Sequence, residues 1–358
     1  MPFSPVKNYE NMISTFVEKI CYVKPMQIFF TNNKRSLSEK IKSYLYAAYK
    51  SRLWHLYPVF RIYFFIKVNK INLVHTNTLM SIDAAFASRL AGVSHTQHIR
   101  EITGKMEGSL GSLLFQESSF FKSLYKFLNK RIICNSAYSY QSSLNSFPNE
   151  IMEIVYNPIC FEVKKHTERE QEDFKPFIVG IVANVTARMK NHSLVIEIAK
   201  RIKNKYGIKG PVFYFYGNLP SESDSYLQEL RKEIEKNKME QIISFKGLCK
   251  PSVIYSQIHL LLHPYPYESF GRVYMEALFN GKPVIAFNGG GASEFIDNGK
   301  NGFLFGFEEL DKIADCIHKF ITNTAHYNQC SKFALESAQD FKLKPGLQQF
   351  EKIVLDSN

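Results

Sequence analysis

Six short apolar runs follow one another through the C-terminal half of the chain: Phe177–Ala183, Val212–Tyr216, Ile242–Phe245, His259–Leu262, Pro283–Phe287 and Gly302–Phe305. Each has the length of a strand. Between them lie segments with helical spacing, such as His192–Lys203 and Tyr226–Lys236. Strands joined by connections long enough to cross over as helices predict a parallel, doubly wound sheet, an α/β fold. The N-terminal half repeats the alternation less clearly. Its strand candidates are Met26–Phe30, Asn72–His75, His95–Ile99, Arg131–Cys134 and Glu153–Tyr156, and its helix candidates are Leu37–Tyr49, Ile82–Leu90, Phe120–Leu128 and Ala137–Leu144.

A chain of 358 residues suits two domains of ordinary size. The charged, apolar-poor stretch His166–Lys175, HTEREQEDFK, reads as the hinge between them. The expected division is an N-terminal domain over 1–165, a linker over 166–175 and a second domain over 176–340. A C-terminal helix over 341–358 is expected to follow the second domain.

Several classes are excluded. The six cysteines, Cys21, Cys134, Cys160, Cys249, Cys316 and Cys330, stand singly, without zinc or redox spacing. A reducing cytoplasm is the simplest compartment for them. The N-terminus has no basic stretch followed by an apolar run, so no signal peptide is expected, and no stretch has transmembrane length. The net charge of +12 favours polyanions. Without a zinc finger, an RNA-binding aromatic motif or a dense arginine run, nucleic acid is not among the expected partners. Lys40–Lys70 mixes basic residues with Tyr, Trp, Phe and Leu. It reads either as a core helix with a solvated basic face or as a surface for anionic lipid.

The chemistry is concentrated from His263 to Phe295, HPYPYESFGRVYMEALFNGKPVIAFNGGGASEF. A loop after a buried strand stands where open parallel sheets bind ligands. Gly271 lets backbone approach a ligand, and the free N–H groups that open the helix after it can hold a diphosphate. Gly289–Gly291 offers a second backbone-lined surface. Glu268 and Glu276 can each accept two hydrogen bonds from sugar or ribose hydroxyls. A glutamate pair at this spacing is ordinary on a solvated helix face. Set between a strand, a Phe-Gly turn, a helix and a Gly-Lys-Pro strand start, it has a ligand-binding context.

This arrangement resembles the Glu-x7-Glu motif of the retaining GT-B glycosyltransferases of family 4, the glycosyl transferases group 1. GIVANVTARMKNH (Gly180–His192), FYFYGN (Phe213–Asn218), ISFKG (Ile243–Gly247) and GGASEFIDNGKNGFLF (Gly290–Phe305) fit that family's order of blocks. INLVHTNT (Ile71–Thr78), HTQHIRE (His95–Glu101), IICNSAYS (Ile132–Ser139) and VYNPI (Val155–Ile159) extend the likeness into the first half. Members usually open with a strand and a Gly-rich loop on the acceptor side, whereas Met1–Tyr22 contains no glycine.

The resemblance implies two Rossmann-like domains facing across a cleft, and a retaining hexosyl transfer without metal or cofactor. The implied donor is a UDP- or GDP-sugar and the implied acceptor a glycan or lipid-linked glycan, in cell-surface polysaccharide biosynthesis. The implied location is cytoplasmic, with peripheral attachment to the inner face of the membrane. Glu268 would touch the donor sugar and Glu276 the ribose. Phe270, Gly271 and Arg272 would line the phosphates and sugar, partly through backbone, and Gly290 and Gly291 would also meet the donor; Arg188 and Lys190 would neutralise the diphosphate, and His98 would face the sugar from the first domain. Two alternatives keep the fold but change the chemistry: a nucleotide-sugar-binding subunit without transferase activity, or a soluble enzyme acting on a small sugar phosphate.

Overall fold

The computed structural model describes residues 56–79, 81–103, 119–157, 167–170, 174–185, 188–207, 210–340 and 348–353. The strand expected at Met26–Phe30, the helix at Leu37–Tyr49 and the basic residues Lys40, Lys42, Lys50 and Arg52 lie outside the described residues. The chain divides into two compact units, Met1–Tyr156 with Gln348–Asn358, and Asn157–Leu347.

In the first unit, α1 (Leu56–Val68), α2 (Asp83–Ala91), α3 (Ser119–Leu128) and α4 (Ala137–Ser143) accompany four parallel strands. These are β1 (Leu73–Thr76), β2 (Ser94–Ile99), β3 (Arg131–Cys134) and β4 (Met152–Ile154), in the spatial order β1-β2-β3-β4. β2 has strands on both sides, yet its sequence is SHTQHI. Buried polar groups in such a position must be hydrogen-bonded. Thr76 and His95 Nε2 meet at 2.8 Å, and His95 Nδ1 meets Asn129 Oδ1 at 2.6 Å. Gln97 donates to the Thr78 carbonyl. A serine capping box, Ser136 with Ser139, starts α4 immediately after β3.

The C-terminal helix departs from expectation. Residues 348–353 belong to the first unit rather than the second. Ile353 packs with Ile133 and Val155, the Phe350 ring meets His75 edge-on at 5.2 Å, and Gln349 donates to the Ile154 carbonyl. The chain therefore passes between the units twice.

The second unit carries six parallel strands: β5 (Ile178–Val182), β6 (Val212–Tyr216), β7 (Ile243–Gly247), β8 (Leu260–His263), β9 (Val284–Phe287) and β10 (Gly302–Phe305). Its helices are α5 (His192–Tyr206), α6 (Ser225–Lys236), α7 (Pro251–Gln257), α8 (Arg272–Phe279), α9 (Ala292–Phe295), α10 (Leu310–Thr322) and α11 (Thr324–Asp340). The strand order is β10-β9-β8-β5-β6-β7. From β5 the chain winds outward to β7, returns to lay β8 against the other side of β5, and winds outward again. At that reversal the chain leaves the adjacent strands β5 and β8 in opposite directions, and ligands of open α/β sheets bind at such a point. α5 packs with α10, and α8 with α11.

Part of the expected hinge is fixed to this unit. Arg169 and Asn328 exchange two backbone–side-chain hydrogen bonds at 3.0 Å each, and Phe174 is buried against Phe177 and Tyr327. The charged composition of 166–175 conceals that one apolar anchor.

Candidate active site

The loops after β5, β8 and β9 are adjacent because β8 pairs with both β5 and β9. The first makes a short turn, Arg188–Lys190, before α5. Asn191 then takes a left-handed conformation, φ 52°, which asparagine tolerates. Its side chain donates to the Pro264 carbonyl at 3.1 Å, tying this loop to the one after β8.

Glu268 stands at the centre of the second loop. Its Oε1 is paired with Lys190 Nζ and lies 3.5 Å from His263 Nε2. Lys190 also sits 4.0 Å from the centre of the Tyr265 ring, a cation–π contact. Burial by itself raises the Glu268 carboxyl, but His263 and Lys190 outweigh it and hold the group at about 2. Glu268 is therefore a carboxylate across the physiological range. It is an acceptor of hydrogen bonds and not a proton donor.

Gly271 precedes α8 with φ 76°, and a Cβ there would lie 2.1 Å from the Tyr274 ring. The turn after β9 fits in the same manner. At Gly290, φ 57°, a Cβ would lie 2.3 Å from the Glu268 carbonyl oxygen, and at Gly291 it would lie 2.7 Å from that of Ser269. The Gly291 N–H donates to the Glu268 carbonyl at 2.7 Å. Here the glycines let one loop backbone press on another. Gly290 and Gly291, expected at the donor, grip the backbone that presents Glu268.

Glu276, one turn into α8, is buried with both oxygens engaged. Arg272 Nε approaches Oε1 at 3.0 Å, and the Tyr255 hydroxyl of α7 donates to Oε2 at 3.0 Å. Burial raises its carboxyl above the usual value, while Tyr255 and Arg272 pull the other way. Arg272 itself is exposed, so its guanidinium stands between Glu276 and solvent.

Two expected contacts are placed differently. Arg188 makes a two-bond contact with Glu229 of α6 at 2.7 and 2.9 Å, over the Tyr226 ring. It is committed to a surface pair and does not join Lys190 at Glu268. The Phe270 side chain is buried, edge-on to Phe295 at 4.8 Å, so it anchors the loop to α9 and leaves only backbone to line a ligand. Tyr265 and Tyr255 carry no local signal of a role, and the sequence leaves His263 without one. Tyr255 reaches Glu276 only through the packing of α7 on α8.

His98 belongs to the first unit, at the end of β2. Burial, then Arg100 and His75, lower its pKa to about 3, so the imidazole is neutral. Its buried Nε2 has no hydrogen-bond partner among the described residues. The Arg100 N–H donates to Glu101 Oε2 at 2.9 Å. Arg100 Nε donates to Asn77, and Glu101 accepts from Thr78 and the Leu79 N–H.

Residues 163–337 match the family described as "Glycosyl transferases group 1". The poly(ribitol-phosphate) alpha-N-acetylglucosaminyltransferase of Staphylococcus aureus (strain COL) is 28% identical over 184 residues, 50% of this chain and 34% of that one. This chain thus spans about a third of that relative's length. A 41.2 kDa protein in the cps region of Klebsiella pneumoniae is 23% identical over 297 residues, 75% of each chain. Among solved structures, Anabaena HepE in complex with UDP and glucose superposes with a TM-score of 0.70 at 21% identity, covering 83% of this chain and 81% of that one.

Proposed function

We propose, on the premise that this chain belongs to the glycosyl transferases group 1 through residues 163–337 and has the GT-B fold, that it transfers a hexose from a nucleoside-diphosphate sugar to a glycan or lipid-linked glycan. UDP is the first nucleotide to test, because HepE was solved with it, and GDP the second. Synthesis of a cell-surface polysaccharide is the favoured setting, given the relatives from Staphylococcus aureus and the Klebsiella cps region. The observation that carries this reading is Glu268, held as a carboxylate by Lys190 and His263 at the point where the strand order reverses.

The diphosphate would meet the N–H groups that open α8 and the ammonium of Lys190, which together stabilise the charge of the leaving group. Glu268 would accept hydrogen bonds from the sugar and Glu276 from the ribose once Arg272 moves aside. His98 would offer a neutral nitrogen to a sugar hydroxyl. Transfer with retention would break the bond from the anomeric carbon to the phosphate oxygen and form the bond to the acceptor oxygen on the same face. The acceptor proton would pass to the departing phosphate. No metal or cofactor enters this scheme. Turnover of UDP- and GDP-sugars with and without a glycan acceptor tests it, with the product anomer read by NMR. Binding without turnover would favour a binding subunit, and turnover on a small sugar phosphate alone would favour a soluble enzyme of that substrate class.

The scheme includes a peripheral encounter with anionic lipid. No helix among the described residues is long and apolar enough to cross a membrane. On α1, Tyr57, Phe60, Phe64 and Val68 are exposed along one face at helical spacing. α1 packs on α2 and α2 on α3, which add exposed Leu90, Phe120 and Phe127. These helices carry Arg61, Lys67, Arg89, Lys122 and Lys126, and their one acidic residue, Asp83, is buried. Aromatic and basic side chains together suit an anionic interface. Co-sedimentation with phosphatidylglycerol vesicles should fade with salt and fall when Phe60 and Phe64 are replaced by serine. Equal sedimentation with neutral vesicles, or none with either, removes this part of the reading.

A further inference from the structure

The ammonium that would hold the diphosphate is not idle in the ligand-free protein. Lys190 carries one positive charge, and that charge rests on Glu268. Both side chains are about a quarter exposed, so the pair is open to solvent and to an incoming anion. Arg188, the other cation on the turn, is held by Glu229. A diphosphate reaching these strand ends would bring at least two negative charges to a place where a carboxylate already uses Lys190. One cation cannot fully serve both anions, and at such separations like charges repel.

His263 offers Glu268 a second partner. Its side chain is 2% exposed, and its Nε2 faces the same Oε1 that Lys190 holds. Neither ring nitrogen makes a hydrogen bond among the described residues. The Tyr274 ring lies edge-on to it at 5.0 Å, fixing the imidazole plane. Should Lys190 leave, His263 is the polar side chain still facing that carboxylate oxygen, close enough to tighten onto it.

We propose that donor binding is an ion-pair exchange: Glu268 competes with the diphosphate for Lys190, and when Lys190 moves to the diphosphate, His263 keeps Glu268 in place for the sugar. This rests on the reading of the site as one for a nucleoside-diphosphate sugar. The exchange treats the two ligands differently. A nucleoside diphosphate without its sugar bears the cost of separating the pair, and Glu268 gains no new partner. The intact donor offers sugar hydroxyls to the freed carboxylate, so Glu268 sets the preference for intact donor over its own leaving group. His263 acts as a positioning residue, through Glu268.

Calorimetric titration of UDP and GDP into the full chain tests the exchange, with wild type, Glu268→Gln, Lys190→Ala and the double variant compared. Glu268→Gln should tighten the better-binding diphosphate about threefold or more, the scale of a partly exposed ion pair. The gain should shrink in the Lys190→Ala background, where no cation remains to be released. A gain as large or larger in that background would mean simple repulsion between Glu268 and phosphate, and would overturn the exchange. No gain in either background would overturn it as well. If neither diphosphate binds wild type, the reading of the site fails and the exchange with it; binding without the gain overturns the exchange alone. For His263, alanine should lower kcat for the intact donor while leaving the diphosphate Kd within about twofold, and asparagine should restore part of kcat. Parallel losses in kcat and diphosphate affinity, without rescue by asparagine, would reduce His263 to a packing residue.

Discussion

The strand ends of the two units present different chemistry. In the second unit they deliver charges already in pairs, Lys190 with Glu268 and Arg272 with Glu276. In the first, His75 and His98 are neutral imidazoles near the strand ends, beside the charged Arg100 and Glu101 that follow β2. His75 is lowered to about 4 and His98 to about 3, burial being the main cause in each. Paired charges can be redistributed when an anion arrives. Buried neutral rings can only offer or accept hydrogen bonds, which is what uncharged hydroxyls require. In the proposed scheme the second unit would take the phosphates and the first would recognise hydroxyls.

The sharpest way to break this assignment is Glu268→Gln. It keeps the size but removes the charge and turns one acceptor oxygen into a donor, and transfer should fall about a hundredfold in a protein that still folds. Wild-type turnover would end the role of Glu268. Next is Lys190→Ala, which should weaken a nucleoside diphosphate about tenfold and leave the nucleoside almost unchanged. Arg188→Ala on the same turn should change both by less than about twofold, because that side chain is spent on Glu229. Equal effects of the two would contradict the geometry. A smaller loss, about fivefold in nucleotide affinity, is expected for Glu276→Ala. Unchanged affinity in calorimetry would take the ribose role from it.

Much of this is legible in the sequence, and the remainder is hidden for physical reasons. The apolar runs in the second half mark its strands to within a residue or two, because strands buried on both faces leave an unbroken apolar signal. Lys190 and Glu268 are each recognisable from their own loops. Their pairing is not, since they lie 78 residues apart and meet only because β8 returns beside β5. Strand order is not written in local composition. Arg188 misleads for a related reason: two residues along a tight turn point to different sides, and only the position of α6 shows that one side is occupied. The neighbours of Phe270, Ser269 and Gly271, place it in the ligand loop but do not show that its side chain packs on Phe295, a partner set by the fold. The tail shows helical spacing, and Phe350 and Ile353 give it an apolar face. Nothing in those residues says that the face meets β1, β3 and Val155 rather than the unit just completed.

The smallest expected effect is on stability rather than turnover, and it tests the neutral side of the comparison. In the folded protein His98 stays unprotonated down to about pH 3, held there by burial and by Arg100 and His75. In the unfolded chain it takes up a proton near its ordinary value of 6.5. Between these values the unfolded state binds more protons, so stability rises with pH, and as pH falls below about 6.5 the folded state loses ground. Above that value neither state is protonated and the contribution vanishes. One such group adds at most about 1.4 kcal/mol per pH unit to the slope. His98→Asn removes it without placing a charge in the same space. Denaturant midpoints for the two proteins should run parallel above pH 6.5 and diverge from about pH 6 to pH 5, the wild type falling more steeply. His75 and His95 keep a shared slope in both, so the variant must flatten and not abolish the dependence. Parallel curves through that interval would mean that His98 takes up its proton in the folded state, and the imidazole would then add its charge to those of Arg100 and Glu101 at that strand end.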